Sequence, residues 1–134
     1  MTLLNRAKRI LVIDDEAPLR ENLMRFLRLE GYQPAEAADG LRGVEMALRS
    51  PPDLVLCDLM MPGLDGFGVL ARLRAEPATA GVPFIFLTAS ADAQDARIGF
   101  TLGATDYVTK PFNLPELAGL IAQRLGMATA GAAP

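Results

Sequence analysis

The sequence contains no histidine and no tryptophan, and Cys57 is its only cysteine. These absences exclude an intramolecular disulfide, a zinc site built from cysteine and histidine, and catalysis by a histidine side chain. No apolar run approaches the roughly 18 residues that a membrane-spanning helix needs, and the N-terminal stretch MTLLNRAK is too poor in apolar residues for a signal peptide. We therefore expect a cytoplasmic protein without a membrane anchor.

Positive charge is also scarce, because 13 Lys and Arg face 16 Asp and Glu and the net charge is −3. Such a chain has no basic field to hold a nucleic-acid backbone or an anionic membrane, so direct binding to either is not expected. The 134 residues suffice for one domain with its own core. We assign this domain to residues 8–126, an N-terminal tail to residues 1–7, and a flexible tail or the start of a linker to residues 127–134.

Short apolar runs alternate along the chain with longer segments of helical periodicity. The predicted strands cover residues 9–13, 32–37, 53–57, 83–87 and 107–109. Leu41, Val44 and Leu48 have the spacing of a core-facing helix stripe, and Asp39 and Asn113 are predicted to cap helices. The alternation predicts an α/β fold in which helices cover both faces of a parallel sheet, with ligands binding beyond the carboxyl ends of the strands.

Polar side chains stand at the ends of four of these strands. They are Asp14 and Asp15 after the first strand, Asp58 after the third, Thr88 after the fourth and Lys110 after the fifth. Because the carboxyl ends of parallel strands lie at one edge of a sheet, we expect these groups to lie close together. Mutually repelling carboxylates are suited to a hard cation such as Mg²⁺ (or Mn²⁺). Asp58 is a candidate nucleophile toward phosphorus, with Thr88 and Lys110 available for phosphoryl oxygens.

Four stretches, in order VIDDE, DLVLCDLMMPGLDG, FLTAS and GATDYVTKPF, resemble the receiver domain of two-component response regulators. The resemblance extends over residues 8–126 and is specific as an ordered set. It implies a flavodoxin-like, doubly wound (βα)5 three-layer sandwich with strand order 2-1-3-4-5. It also implies a cis peptide bond between Lys110 and Pro111.

The resemblance further implies the chemical roles of the strand-end residues. Asp58 is expected to be the phosphoacceptor, assisted by Lys110 and Thr88. The expected direct metal ligands are Asp15, Asp58 and the backbone carbonyl of Met60, with Asp14 binding through water.

Signal output is expected from Thr88 and Tyr107 as a switch pair that remodels the face formed by the fourth helix, fifth strand and fifth helix. The implied phosphodonor is a sensor histidine kinase or a histidine phosphotransfer protein. The implied targets are an effector protein or a covalently linked output domain, with a phosphorylation-dependent homodimer as a further partner. Such a chain catalyses its own phosphorylation and dephosphorylation and is otherwise not an enzyme.

Two alternatives use some of the same residues. A haloacid-dehalogenase-type phosphatase also has a strand-end Asp nucleophile with Mg²⁺, Thr and Lys, but it requires a second acid where this chain has Met60. An adaptor of the same fold that is not phosphorylated is expected to have lost an acid, the Thr or the Lys. Asp65 and Asp106 are interpreted as surface charges.

Overall fold

The computed structural model of the chain describes residues 6–126, so most of the two predicted tails lies outside the described residues. Strands and helices alternate throughout. The strands are β1 (Arg9–Ile13), β2 (Gln33–Ala37), β3 (Leu54–Cys57), β4 (Phe84–Thr88) and β5 (Asp106–Thr109). The helices are α1 (Ala17–Leu29), α2 (Gly40–Arg49), α3 (Gly66–Arg74), α4 (Ala93–Leu102) and α5 (Leu114–Arg124).

The strands form one parallel sheet in the order β2-β1-β3-β4-β5, which confirms the predicted fold class and topology. Residues of α2 and α3 pack on one face of this sheet, and residues of α1 and α5 pack on the other. All four residues of β3 are buried, as expected for a strand covered on both faces. Burial also raises the pKa of the Cys57 thiol well above its usual value.

Helix α2 differs from its predicted orientation. Leu41 and Leu48 are exposed, and the buried positions include Gly40, Gly43 and Val44. A Cβ atom at Gly43 would overlap the side chain of Ile13, so the glycine allows the helix to approach β1 closely. The prediction is therefore confirmed for Val44 and wrong for Leu41 and Leu48, because close approach at the glycines turns a different face of the helix to the sheet.

Within residues 6–126, four of the five helices have an N-cap side chain that forms a capping hydrogen bond. The N-cap residues Asp39, Asp65, Asp92 and Asn113 each accept a backbone N–H from the first turn at 2.9–3.0 Å. This confirms the caps predicted at Asp39 and Asn113 and gives Asp65 a structural role beyond a surface charge.

Two further expectations concern one peptide bond and the length of the helices. The peptide bond between Lys110 and Pro111 is cis, as the resemblance implied. Across residues 6–126, no helix combines the length and apolar character needed to cross a membrane.

Candidate phosphoryl-acceptor site

Backbone hydrogen bonds continue past the strand ends and bring the predicted residues together. The N–H of Asp58 donates to the carbonyl of Ile13 at 2.9 Å, and the N–H of Lys110 donates to the carbonyl of Thr88 at 2.8 Å. β4 ends one residue later than predicted, so Thr88 is the last residue of the strand and not the first residue after it. Side chains from four strand ends consequently lie at one edge of the sheet.

Lys110 stands at the centre of this group. Its Nζ atom lies 3.3 Å from Asp14 Oδ2, 3.3 Å from Glu16 Oε1 and 3.5 Å from Asp58 Oδ2. Asp14 and Asp58 are 2% and 5% exposed, so water screens their charges poorly. One ammonium group therefore faces two buried carboxylates and one exposed carboxylate.

Burial and mutual repulsion disfavour the ionised acids. Burial is the main cause that raises the pKa of Asp14, and it also raises the pKa of Asp58, opposed by Lys110 and reinforced by the charge of Asp14. For Lys110, burial acts to lower the pKa, but the charges of Asp14 and Asp58 outweigh it and the pKa is raised. Among residues 6–126, the three carboxyl groups of Asp14, Glu16 and Asp58 thus share the single ammonium group of Lys110.

Carboxylate oxygens of Asp14, Glu16 and Asp58 lie within 4.8 Å of one another. Such a set matches the oxygen ligands that Mg²⁺ prefers. Glu16 was not assigned a role from sequence, although it is the third acid of the DDE run that offered the signal. Asp15 is exposed and is not part of this cluster, so the ligand roles expected of Asp15 and of the Met60 carbonyl stay predictions.

Thr88 is fully buried, and its hydroxyl accepts the N–H of Ser90 at 3.1 Å. Because a hydroxyl accepts and donates independently, its own proton remains available to a phosphoryl oxygen. The Tyr107 ring is half-buried beside Phe86, with ring centroids 5.8 Å apart, and its hydroxyl donates to the carbonyl of Ser90 at 2.9 Å. Beside Phe86 and with its hydroxyl bonded to Ser90, the Tyr107 ring is in what we call its inward position.

Known proteins are similar to this chain in sequence and in fold. The family model of the response regulator receiver domain matches residues 10–122. The DNA-binding dual master transcriptional regulator RpaA of Synechocystis is 43% identical over 109 residues, which are 81% of this chain and 45% of RpaA. The DNA-binding response regulator MtrA of Mycobacterium tuberculosis is 44% identical over 118 residues, which are 88% of this chain and 50% of MtrA. The chain thus spans about half the length of these curated relatives.

Solved structures agree in fold. A putative response regulator from Chloroflexus aurantiacus is 34% identical with a TM-score of 0.85, covering 90% of this chain and 99% of that one. The receiver domain of the sensor histidine kinase PA1611 from Pseudomonas aeruginosa, solved with magnesium in its active site cleft, is 32% identical with a TM-score of 0.83 at the same coverage. These matches make the phosphatase alternative wrong. The chain belongs to the receiver domain family of two-component response regulators.

Proposed function

We propose that the chain accepts a phosphoryl group on Asp58 from a phosphohistidine of a sensor kinase or a phosphotransfer protein. An oxygen of Asp58 forms a bond to phosphorus while the P–N bond breaks, and the leaving imidazole keeps the electron pair. The phosphoryl group is later lost to water, so the chain returns to its starting state. Both steps are reactions of the chain on itself.

One observation carries this proposal: Lys110 Nζ lies within 3.5 Å of the buried Asp58 carboxylate at the sheet edge. A phosphoryl group on Asp58 adds about −1.5 to −2 charges. Lys110 can pair with one phosphoryl oxygen, and the Thr88 hydroxyl can donate to a second. Both groups act most strongly in the transition state, where charge spreads over the equatorial oxygens.

The surplus of negative charge is the reason to include Mg²⁺ (or Mn²⁺) in the proposal. Carboxylates of Asp14, Glu16 and Asp58 share a small volume with one lysine. When bound, the cation would neutralise part of the negative charge of the acids and of the incoming phosphoryl group. Asp14, Glu16 and Asp58 would hold it, with Asp15 and the Met60 carbonyl as the further ligands that the family resemblance implies.

The proposed output follows from the relatives. RpaA and MtrA are described as DNA-binding, and this chain covers only about half of each. We infer that the phosphorylated chain acts through a linked output domain or a separate effector, by the face of α4, β5 and α5. A phosphorylation-dependent homodimer and the cytoplasmic location stay predictions.

A small phosphodonor tests the proposal without the native kinase. Incubated with acetyl phosphate and Mg²⁺, the chain is expected to gain one phosphoryl group, stable in acid and labile in base, as seen by mass spectrometry. Asp58→Asn is expected to gain none. Asp53→Asn is the matched control, because residue 53 precedes β3 at the opposite edge of the sheet and an amide oxygen there can still accept the N–H of Arg9.

Two results would contradict the proposal. One is labelling of Asp58→Asn to the level of the control, and the other is labelling that persists in EDTA. Wild-type chain that stays unlabelled by any small phosphodonor would favour the adaptor alternative.

A further inference from the structure

Ser90 connects three elements near the switch residues. Its N–H donates to the Thr88 hydroxyl at 3.1 Å, its hydroxyl donates to Asp95 Oδ2 at 2.6 Å, and its carbonyl accepts the Tyr107 hydroxyl at 2.9 Å. We call these three bonds the Ser90 bridge. Through it the end of β4, the first turn of α4 and the side chain on β5 meet at one residue.

Asp95 supplies the part of the Ser90 bridge that lies in α4. A hydroxyl bound to a carboxylate at this distance is a charge-assisted hydrogen bond, which is stronger than one between neutral groups. Asp95 is half-buried, which limits screening by water. The cap of α4 is a different residue, Asp92, which accepts the N–H of Gln94 at 2.9 Å. The Ser90 hydroxyl also accepts the backbone N–H of Asp92 at 3.4 Å, but the Asp92 side chain that caps the helix makes no bond to Ser90.

The Tyr107 ring depends on the position of the Ser90 carbonyl. The ring packs beside Phe86, and an added Cβ at Gly99 of α4 would lie 3.7 Å from Tyr107 Cδ2. These packing contacts leave room for the ring in its inward position. The hydrogen bond from the Tyr107 hydroxyl to the Ser90 carbonyl is directional, so it depends on where that carbonyl lies. If the segment between β4 and α4 moved, that acceptor would be lost and the polar end of the ring would favour water.

We propose that Asp95 is a positioning residue that holds the Ser90 carbonyl in place and so stabilises the inward position of the Tyr107 ring. Asp95 then sets the ratio of the inward to the outward position of the ring. This inference rests on the proposed function only for the meaning of Tyr107 as a signal. The ring position itself is measurable in the unphosphorylated chain.

The absence of tryptophan allows a direct measurement. The chain has two tyrosines, so Tyr32→Phe leaves Tyr107 as the only fluorescent tyrosine. In this background, Asp95→Ala is expected to lower the ratio of inward to outward ring by about tenfold, the effect of losing one charge-assisted hydrogen bond. Acrylamide then quenches Tyr107 more strongly. Asp92→Ala is the matched control, because it removes the acid that caps the same helix and leaves the bond between Ser90 and Asp95.

Variants of Ser90 separate the bridge from general weakening of α4. Ser90→Ala is expected to raise quenching as Asp95→Ala does, the double variant to add nothing further, and Ser90→Thr to restore the original quenching because it keeps the hydroxyl. Additive effects, equal quenching in Asp92→Ala, or no change in Asp95→Ala would each overturn the inference. Labelling by acetyl phosphate in the parent chain is measured in parallel, so a failure of the proposed function is distinguished from a failure of the Ser90 bridge.

Discussion

Asp14→Asn is expected to stabilise the protein in the absence of divalent metal. The carboxylate of Asp14 is buried, and its oxygen lies within 4.8 Å of an oxygen of Asp58. The amide that replaces it can still accept the N–H of Glu16, which donates to Asp14 Oδ1 at 2.9 Å. The substitution therefore removes a charge while retaining shape and one hydrogen bond.

The magnitude follows from opposing electrostatic effects. At an effective dielectric near 20, unit charges on Asp14 and Asp58 no more than 4.8 Å apart repel by at least about 3.5 kcal/mol, whereas Lys110 at 3.3 Å attracts Asp14 by about 5 kcal/mol. Burying the carboxylate costs several kcal/mol more, and this tips the balance against the ionised form. The raised pKa of Asp14 has the same sign. We expect a gain in unfolding free energy of about 1–2 kcal/mol, or roughly 3–8 °C in melting temperature.

Urea unfolding in EDTA measures the difference, and pH checks its origin. Folding raises the pKa of Asp14, so as the pH falls the folded chain takes up this proton before the unfolded chain does. The ionised acid lowers the unfolding free energy of the wild type at neutral pH, and this loss disappears as the pH falls through the folded pKa toward the ordinary value of 3.8. The advantage of Asp14→Asn should therefore be full at pH 7 and shrink across that window. Below pH 3.8 the Asp14 side chain is protonated in both the folded and the unfolded chain, so its ionisation no longer affects the unfolding free energy.

Asp15→Asn provides the matched control, because it is the same substitution at the adjacent exposed acid. It should change the unfolding free energy in EDTA by less than about 0.5 kcal/mol. Equal stabilisation by the two substitutions, or destabilisation by Asp14→Asn at pH 7, would refute the reasoning from burial.

Four further outcomes are expected. Mg²⁺ at tenfold its dissociation constant should raise the unfolding free energy by about 1.4 kcal/mol, and Asp15→Asn should remove most of that response in calorimetry; a response kept in full contradicts the ligand role. Met60→Asn should speed loss of the phosphoryl group by about tenfold, because an amide can orient the attacking water and a thioether cannot; equal decay of radiolabel contradicts this. Thr88→Ala should still accept phosphate on Asp58 but, with beryllofluoride, show amide shifts only near the site; shifts reaching α5 contradict the switch. Gly66→Ala should lower the unfolding free energy by about 1–3 kcal/mol in urea, because an added methyl would overlap the backbone of Asp58; an unchanged midpoint would show that α3 can shift.

Sequence was a good guide wherever the signal was local. Strand and helix order, the caps at Asp39 and Asn113 and the strand-end positions of Asp58 and Lys110 all depend on residue type and spacing within a few positions. The orientation of α2 was not predictable this way. Its rotation depends on contact between Gly43 and Ile13, residues that are remote in sequence.

The partners of charged side chains could be identified only from the tertiary structure. Asp106 was expected to be a surface charge, but it accepts two hydrogen bonds from Arg124 at 2.7 and 2.8 Å, which connects β5 to α5. Nothing near Asp106 in sequence predicts that partner. The bond between Ser90 and Asp95 joins residues close in sequence, yet its meaning depends on Tyr107 arriving from β5.

The sequence by itself determined the fold class, the strand order through the family resemblance, and the edge of the sheet at which the acids and Lys110 meet. These follow from hydrophobic periodicity and from the parallel direction of the strands. The tertiary structure decided that Asp14 is buried and Asp15 exposed, and that Glu16 joins the cluster. Asp14 and Asp15 are the same residue type with the same charge, so the sequence alone does not distinguish them. Only the packing around the end of β1 distinguishes them, because burial, and with it the free energy of each charge, depends on atoms from β3 and β5.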